Sequence, residues 1–509
     1  MIVAARLFLE SLRFDLEPED EVRRRAERAL ALGAGGFVIF GGEAERIAHW
    51  VAEWRSAVRH RLWIASDLER GPGQQFGGLP ELPPPLGLAA SPDPLEAARA
   101  AGRITGRSAR AVGVNLVLAP VLDLDIEPRN PIVGTRSFGS RPEEVSRLGR
   151  AWIEACQAEG VSACAKHFPG HGRTTADSHD ELPVVDAGRT ELSEDLEPFR
   201  AVADLVAAVM TAHVAYPALG SSRPATLEPH LLEDLLREEM DFEGIVVTDA
   251  LNMGGFTEAL KLPGDPDGTA AGAAAALNAG CDLLLYPADL EHSAALLDRA
   301  ALADVRTGDR VEASIRRLEE TARRVGVSAR IADPPASSVQ IVDDATVAEK
   351  LALDSIRLAG ERPWRIRPAI PLRIVTVWDD RPAPSRAPLG APFAGELRAR
   401  GWNVLGPEAS SPLSKADPTV LLIASTPQAW KGTASLTASG RLAVDEALAA
   451  HPGAWPIVFG HPRLLKELGA EGRGMVAWAS EEVMERAAAI RLDAELRRAE
   501  SGGSGASFA

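Results

Sequence analysis

Cysteine is scarce in this chain of 509 residues, which contains only Cys156, Cys164 and Cys281. All three lie in apolar stretches, and their spacing does not match the ligand pairs of a zinc site. A framework of disulfide bonds would need more cysteines. We therefore expect three buried thiols that pack as small hydrophobic side chains.

Long apolar runs are also missing. No apolar stretch reaches 18 residues, so the sequence predicts no membrane-spanning helix and no membrane partner. Residues 1–12 include a short apolar run, but they lack the basic start and small-residue cleavage site of a secretory signal. A helix is already predicted at 17–28. These features predict a cytoplasmic protein.

Positive charge is in deficit. Lysine and arginine total 55 against 72 aspartates and glutamates, for a formal net charge of −17. A field of this sign does not favour binding to nucleic acid or to an anionic membrane. A neutral or weakly charged small substrate is compatible with it.

Eight short apolar runs alternate with helical patterns through the first 290 residues. Continuous apolar runs separated by helices predict a parallel sheet covered by helices, and eight such units match the size of a (β/α)8 TIM-type barrel. The predicted strands are residues 4–10, 36–40, 62–67, 115–124, 162–167, 207–216, 244–249 and 281–286. Helices are predicted at 97–112, 143–159, 196–206, 230–240, 270–279 and 311–325.

A segment rich in proline and serine at 333–338 marks the best candidate for a linker. Strand patterns resume beyond it at 372–378, 402–405, 420–424, 456–459 and 475–478, with a helix predicted at 441–450. We therefore predict an α/β chain with a catalytic barrel at 1–330, a linker at 331–345 and a smaller, doubly wound α/β domain at 346–500. Residues 501–509 are predicted to be a disordered tail.

Titratable residues recur at the ends of the predicted barrel strands. The carboxyl ends of barrel strands meet at one mouth, where the chemistry of such folds is located. Taken singly, a strand-end aspartate often caps the next helix, and a lone histidine is often a core residue. Convergence of several such positions favours a functional pocket. These positions are Asp67, Asp123, Asp125, Lys166, His167, His213 and Asp249.

The segment 166–179 has the sequence KHFPGHGRTTADSH and follows the fifth predicted strand. Its glycines, proline and small polar residues predict a loop over the pocket. Asp177 and His179 are two residues apart, so the carboxylate can orient the imidazole for general acid/base work. A zinc site of His167, His171 and His179 is an alternative, although the spacing fits no usual zinc pattern. A purely structural loop is another.

Asp249 ends the seventh predicted strand, which would hold its carboxylate rigidly at the mouth. A carboxylate on one side of a sugar ring and a proton donor on the other are the requirements of glycoside cleavage. The residues alone indicate a pocket, a candidate nucleophile and a candidate acid/base, but they do not indicate the bond that is cleaved.

Several segments together resemble glycoside hydrolase family 3, and in particular its β-N-acetylglucosaminidase (β-N-acetylhexosaminidase) branch. The resemblance covers roughly residues 35–290, and its most specific part is the KHFPGHG run followed by Asp-Ser-His. The other matching segments are NPIVGTRSFG at 130–139, MTAHVAYP at 210–217, VVTDALNM at 246–253 and AGCDLLL at 279–285.

The resemblance implies a retaining glycosidase that needs no metal or organic cofactor. Asp249 would be the nucleophile, His179 the acid/base and Asp177 the residue that orients His179. His213 would contact the sugar or support Asp249. The residues that match sugar-binding positions of the family are Asp67, Arg136, Lys166 and His167.

One loop departs from the family pattern. The family usually has Asp-x-Glu-Gly-Gly-Arg-Val-x-Arg-Phe after the third strand, whereas this chain has DLERGPGQQF at 67–76. Pro72 and Gln75 replace the two arginines, and Arg70 stands where glycine is usual. We expect Arg70 to bind substrate from a different direction, and this change leaves the exact sugar open.

The predicted substrate is an oligosaccharide or muropeptide that ends in N-acetylglucosamine. A β-glucosidase or β-glycoside phosphorylase of the same family is an alternative, and a non-catalytic sugar-binding barrel is another. Since the predicted acid/base lies on a barrel loop, we expect the barrel to contain all the reacting groups. The sequence predicts no oligomeric state.

Overall fold

The computed structural model describes residues 3–176, 182–257, 260, 269–327, 338–360, 363, 366–379, 387–405, 418–426 and 431–498. The predicted tail at 501–509 lies outside them. None of the described helices is long and apolar enough to cross a membrane.

The first part of the chain forms a closed barrel of eight parallel strands, in sequence order around the barrel. The predicted TIM-type barrel is therefore confirmed. Most strand residues are buried because helices cover the outside of the sheet and side chains fill its interior. The strands are β1 Phe8–Arg13, β2 Gly36–Phe40, β3 Trp63–Ser66, β4 Leu116–Val117, β5 Ser162–Phe168, β6 Ala208–Thr211, β7 Ile245–Ala250 and β8 Leu283–Leu285.

The first strand lies further along the chain than predicted. Ala4–Leu7 forms a turn of 3-10 helix, and β1 starts at Phe8 and continues to Arg13. Pairing of Leu9 with both Gly36 and Leu285 sets this position. The prediction failed because a short buried turn and a buried strand have the same apolar composition.

Helices surround the barrel at most of the predicted places. The predicted helix at 196–206 is wrong in its bounds, because α6 starts just after Gly188, whose N–H donates to Glu191 (2.8 Å). The helices are α1 Glu19–Leu32, α2 Ala44–Ala57, α3 Pro85–Ala89, α4 Pro94–Val112, α5 Pro142–Gln157, α6 Arg189–Arg200, α7 Gly254–Thr257, α8 Thr269–Ala279, α9 Leu290–Ala303 and α10 Val305–Val325, with a π-helical segment at His230–Glu239.

The second domain is a six-stranded sheet with the order β11-β10-β12-β13-β14-β9. The five strands predicted from apolar runs pair in parallel, but the two-residue edge strand β9 is antiparallel to β14 and was not predicted. Two half-buried residues carry no apolar-run signal. The elements are β9 Arg357–Leu358, β10 Leu372–Trp378, β11 Val404–Leu405, β12 Thr419–Ser425, β13 Trp455–Gly460 and β14 Met475–Val476, with helices α11 Ser338–Ser355, α12 Ala391–Ala399, α13 Ala438–Ala450, α14 Arg463–Glu467 and α15 Glu482–Arg498.

Helix α11 joins the two domains. It begins at Ser338, so the second half of the predicted linker 331–345 is helical. Ala348 and Leu351 pack into the barrel core, whereas Ala352 packs into the core of the second domain.

An ion-paired contact also joins the domains. Asp125, beyond β4, accepts hydrogen bonds from Nε2 of His461 and from Nη2 of Arg463, both at 2.9 Å. The second domain is thus attached beside the mouth of the barrel.

The three cysteine thiols are free and buried, as predicted. Burial raises the pKa of each thiol, so all three remain protonated and inert at neutral pH.

Candidate active site

A cavity of about 440 Å³ opens at the carboxyl ends of the barrel strands. Six of the nine predicted site residues line it: Asp67, Arg70, Arg136, Lys166, His167 and Asp249. Asp177 and His179 lie outside the described residues. His213 does not line the cavity.

Asp249 lies at the end of β7, half-buried, with its carboxylate in the cavity. Its Oδ1 accepts a hydrogen bond from the N–H of Ala250 at 2.8 Å. The preceding Thr248 accepts one from Leu285 N at 3.0 Å, which ties β7 to β8. Because both bonds involve backbone, the carboxylate is held in a defined position at the mouth.

His213 is buried behind Asp249. One ring nitrogen, Nε2, is 3.1 Å from the carbonyl oxygen of Ala250, and Nδ1 is 2.8 Å from Oγ1 of Thr226. The ring also packs against Phe256, with centroids 4.7 Å apart. Of the two predicted roles, this position favours support of the Asp249 strand, and both roles stay predictions.

Four charged side chains form a network on the cavity wall. Lys166 Nζ is 2.6 Å from both Asp67 Oδ1 and Glu69 Oε1. Arg136 forms a bidentate pair with Glu69, with two bonds of 2.7 Å. Sequence reasoning named Glu69 only as a motif match. Its position two residues after Asp67 was the available signal.

Electrostatics keep Glu69, Lys166 and Arg136 ionised. Burial opposes the charged form of each of these three residues, but it is outweighed by the neighbouring opposite charges. The Arg136 and Lys166 charges hold the pKa of Glu69 well below its usual range. Asp67 and Glu69 raise the pKa of Lys166, and Glu69 raises the pKa of Arg136. The cavity therefore offers fixed donors and acceptors to a neutral, hydroxyl-rich ligand.

Asp123 orients the imidazole ring of His167. Its Oδ2 is 2.6 Å from Nδ1 of His167, while Oδ1 accepts the backbone N–H groups of His167 (3.2 Å) and His171 (2.6 Å). Although burial opposes it, the nearby histidines hold the pKa of Asp123 below its usual value. Since Nδ1–H faces this carboxylate, Nε2 is the ring atom that remains for a ligand in the cavity.

The loop that contains the predicted acid/base pair is anchored at both described ends. On the near side, Nδ1 of His171 is 2.8 Å from Thr174 Oγ1, and burial lowers the pKa of this imidazole to about 4, so it is neutral at pH 7. On the far side, Val185 N donates to Ala215 O at 2.9 Å. Asp177 and His179 fall between these anchors, and their acid/base role stays a prediction.

The loop after β3 has the unusual sequence noted above. Gln75, at a position where the family has arginine, is bonded to backbone: its Oε1 accepts from Gly41 N and its Nε2 donates to Asp67 O, both at 3.3 Å. Arg70, in contrast, lines the cavity and forms an ion pair with Glu481 of the second domain at 3.1 Å.

No cluster of three or more histidine, cysteine, aspartate or glutamate side chains suited to a metal ion occurs within the described part of the chain. The zinc alternative depends on His179, which lies outside that part.

The sequence matches the family model described as the glycosyl hydrolase family 3 N-terminal domain over residues 20–325. The chain belongs to glycosyl hydrolase family 3. The match covers the barrel from β2 to β8 and most of the residues that line the cavity, and it confirms both the predicted family and its enzyme class, a glycosidase.

Curated relatives in this family are named β-hexosaminidases. The protein from Methylococcus capsulatus is 38% identical over 276 residues, covering 52% of this chain and 79% of the relative. The one from Pseudomonas aeruginosa is 37% identical over 254 residues, covering 49% and 74%. A larger relative, β-hexosaminidase A of Pseudoalteromonas piscicida, is matched over 33% of its length at 37% identity.

Solved structures share the complete two-domain architecture. A family 3 β-N-acetylglucosaminidase from Paenibacillus superposes with a TM-score of 0.80 at 28% identity, covering 97% of this chain and 96% of that one. A β-glucoside phosphorylase superposes with a TM-score of 0.82 at 22% identity, covering 97% and 92%. At that identity, the second likeness shows only the fold.

Proposed function

We propose that this protein is a retaining glycosidase that removes terminal β-linked N-acetylglucosamine, with Asp249 as its nucleophile. The observation that carries the proposal is the common cavity shared by the Asp249 carboxylate and the network of Asp67, Glu69, Arg136 and Lys166. The names of the β-hexosaminidase relatives support this choice of sugar.

The reaction proceeds in two displacements. An oxygen of the Asp249 carboxylate attacks the anomeric carbon, and His179, oriented by Asp177, protonates the leaving glycosidic oxygen as its bond to carbon breaks. Water then attacks the glycosyl ester while the neutral His179 takes its proton, and the bond to Asp249 breaks. The sugar leaves with its original anomeric configuration, and His179 regains its proton for the next cycle.

The charged network binds the sugar. Asp67 is the accessible acceptor, since its side chain is 26% exposed whereas that of the other carboxylate, Glu69, is only 6% exposed. Asp67 therefore accepts sugar hydroxyls directly, while Lys166, Arg136 and His167 offer donors from the wall. These contacts hold the ring above Asp249.

The proposed natural substrates are muropeptides or chitin oligomers that end in N-acetylglucosamine, turned over in the cytoplasm. These substrates are nearly neutral at their terminal sugar, which suits a chain with a net charge of −17. Activity on purified oligomers and cell fractionation would test these two points.

The first experiment compares p-nitrophenyl β-glycosides of N-acetylglucosamine and glucose, each with and without phosphate. We expect hydrolysis of the N-acetylglucosaminide to dominate. Preference for the glucoside would indicate a β-glucosidase, and release of a sugar 1-phosphate would indicate a phosphorylase.

The second experiment removes the nucleophile. Asp249→Ala should lower turnover at least 1,000-fold, roughly the effect of losing a covalent catalyst. Azide should then restore turnover by attacking the anomeric carbon once, which gives a glycosyl azide of inverted configuration. Unchanged turnover on every aryl β-glycoside would refute the assignment of Asp249.

The third experiment tests the acid/base role of His179 by varying the leaving group of the substrate. His179→Ala should slow cleavage of glycosides with poorly acidic leaving groups far more than that of p-nitrophenyl glycosides, because p-nitrophenolate leaves without protonation. An equal loss with both kinds of leaving group would contradict general acid catalysis by His179.

A further inference from the structure

Arg70 lies between two cavities. One is the sugar cavity described above, and the other is a cleft of about 960 Å³ between the barrel loops and the second domain. Arg70, Gln74 and Gln75 line both. The loop after β3 therefore forms the partition between the sugar cavity and this interdomain cleft.

The backbone of Arg70 is held on both sides. Its N–H donates to Oε1 of Gln74 at 2.8 Å, and its carbonyl accepts from Leu82 N at 2.9 Å. The direction in which the side chain leaves the loop is therefore set by the loop itself.

The side chain is held by the other domain. Nε of Arg70 is 3.1 Å from Oε1 of Glu481, whose side chain is 1% exposed, whereas that of Arg70 is 22% exposed. Two residues further on, Val483 N donates to Oε2 of Glu81, at the end of the same barrel loop. Glu481, just before α15, and Val483, in its first turn, thus contact this loop at two points.

A buried carboxylate on one side of a guanidinium leaves the other nitrogens for a second acceptor. The structure contains no hydrogen bond from Nη1 or Nη2 of Arg70 to the residues it describes, and Arg70 borders the cavity beside Asp67 and Glu69. The exposed side of the guanidinium is thus available to an oxygen of a bound ligand.

We propose that Arg70 is a substrate-contacting residue for the terminal sugar and that Glu481 of the second domain is the positioning residue that orients it. The proposal rests on the sugar-cleaving function above and extends it, because it makes the second domain part of sugar binding. The acceptors on the sugar are neutral oxygens, either hydroxyl or N-acyl carbonyl.

A double-mutant cycle tests the pair in the full-length enzyme. Arg70→Ala should lower kcat/KM for the aryl N-acetylglucosaminide about 10- to 100-fold, mainly through KM, as expected for one lost charged hydrogen bond. Glu481→Gln should lower it about 3- to 10-fold. Glu481→Gln added to Arg70→Ala should have no further effect, and Glu481→Asp should recover part of the activity.

Glu482→Gln is the matched control. It makes the same chemical change one residue along, in an exposed pair with Arg486, and should leave kcat/KM within about twofold. Thermal midpoints of all variants separate loss of folding from loss of binding. The pair is refuted if Glu481→Gln has full activity, or if it costs the same factor with and without Arg70.

Failure of the proposed function can be distinguished from failure of the proposed Arg70–Glu481 pair. If the wild type does not cleave the N-acetylglucosaminide but cleaves another aryl glycoside, the cycle is measured with that glycoside. If it cleaves none, calorimetric titration with N-acetylglucosamine and with glucose gives Kd for the same four proteins. Non-additive losses in Kd would support the pair, and additive or absent losses would overturn it.

Discussion

At the scale of single residues, charge balance determines how the cavity works. Glu69 accepts from both Arg136 and Lys166, so two cations of the cavity wall depend on it. Asp67 shares Lys166 but is partly exposed, which frees it for a ligand. On the same wall, Glu69 thus holds the two cations, and Asp67 is free to bind the substrate.

Glu69→Gln should destabilise the protein by about 3 kcal/mol, because it leaves the half-buried Arg136 without its carboxylate and removes one carboxylate from the buried Lys166. It should also raise KM, since Lys166 and Arg136 would shift. Thermal unfolding and steady-state kinetics measure the two effects. Glu127→Gln, in an exposed pair with Arg129, is the control and should change stability by less than about 1 kcal/mol. Equal effects of the two substitutions would refute the structural role of Glu69.

His171 gives the protein a defined dependence on pH. Burial lowers the pKa of its imidazole from 6.5 to about 4, so the unfolded chain binds a proton in this interval that the folded chain does not. The contribution of His171 to the free energy of unfolding is complete above about pH 6.5. Up to about 3 kcal/mol of it is lost as the pH falls towards 4.

The test compares wild type with His171→Gln by thermal unfolding between pH 4 and 7.5. The difference in stability between them should shrink as the pH falls. His49→Gln, which removes an exposed histidine on α2, should give a curve parallel to that of the wild type. A constant difference for His171→Gln would contradict the lowered pKa.

At the scale of elements, the loop after β3 is constrained by close packing at one of its glycines. Gly71 has a φ of 80°, and a Cβ there would lie 2.6 Å from Cγ of Leu82. Gly78, in the same loop, has a φ of 84°, but a Cβ there would meet nothing within 4 Å. The two glycines have nearly the same φ but differ in the space available to a Cβ.

Gly71→Ala should therefore cost about 2–3 kcal/mol and raise KM, because the loop that carries Arg70 must move. Gly78→Ala should cost about 1 kcal/mol, from backbone strain alone, and leave KM unchanged. Thermal midpoints and kinetics measure both. A similar KM for the two variants would show that the clash does not reach the cavity.

At the scale of the whole molecule, the two domains are joined at several points of the mouth. Asp125 forms ion pairs with His461 and Arg463, and Glu481 forms one with Arg70. The prediction that the barrel contains all reacting groups stays a prediction. The inferred role of Glu481 is to position one of the binding residues.

Replacing both His461 and Arg463 by alanine should weaken docking of the domains by about 2–4 kcal/mol, since Asp125 would remain buried without a donor to Oδ2. Calorimetry should then show the two domains unfolding at more separated temperatures. Arg441→Ala, in an exposed pair with Asp445, is the control and should have little effect. Unchanged transitions would show that this contact does not couple the domains.

The amino-acid sequence by itself determined the barrel, the second sheet and most of the cavity. Parallel strands buried on both faces require apolar runs, and the carboxyl ends of those strands all point to one mouth, so local patterns were enough to bring Asp67, Lys166 and Asp249 together. The motif at residues 166–179 also indicated the family to which the chain belongs.

Only the tertiary structure decided which residues that are far apart in the chain come into contact. Apolar composition could not distinguish the buried turn at Ala4–Leu7 from a strand, since the register with β2 and β8 sets β1. Nor could it place His213 behind Asp249, or pair Arg70 with Glu481, more than 400 residues away in the chain. Such contacts depend on how whole elements pack, and no local pattern encodes them.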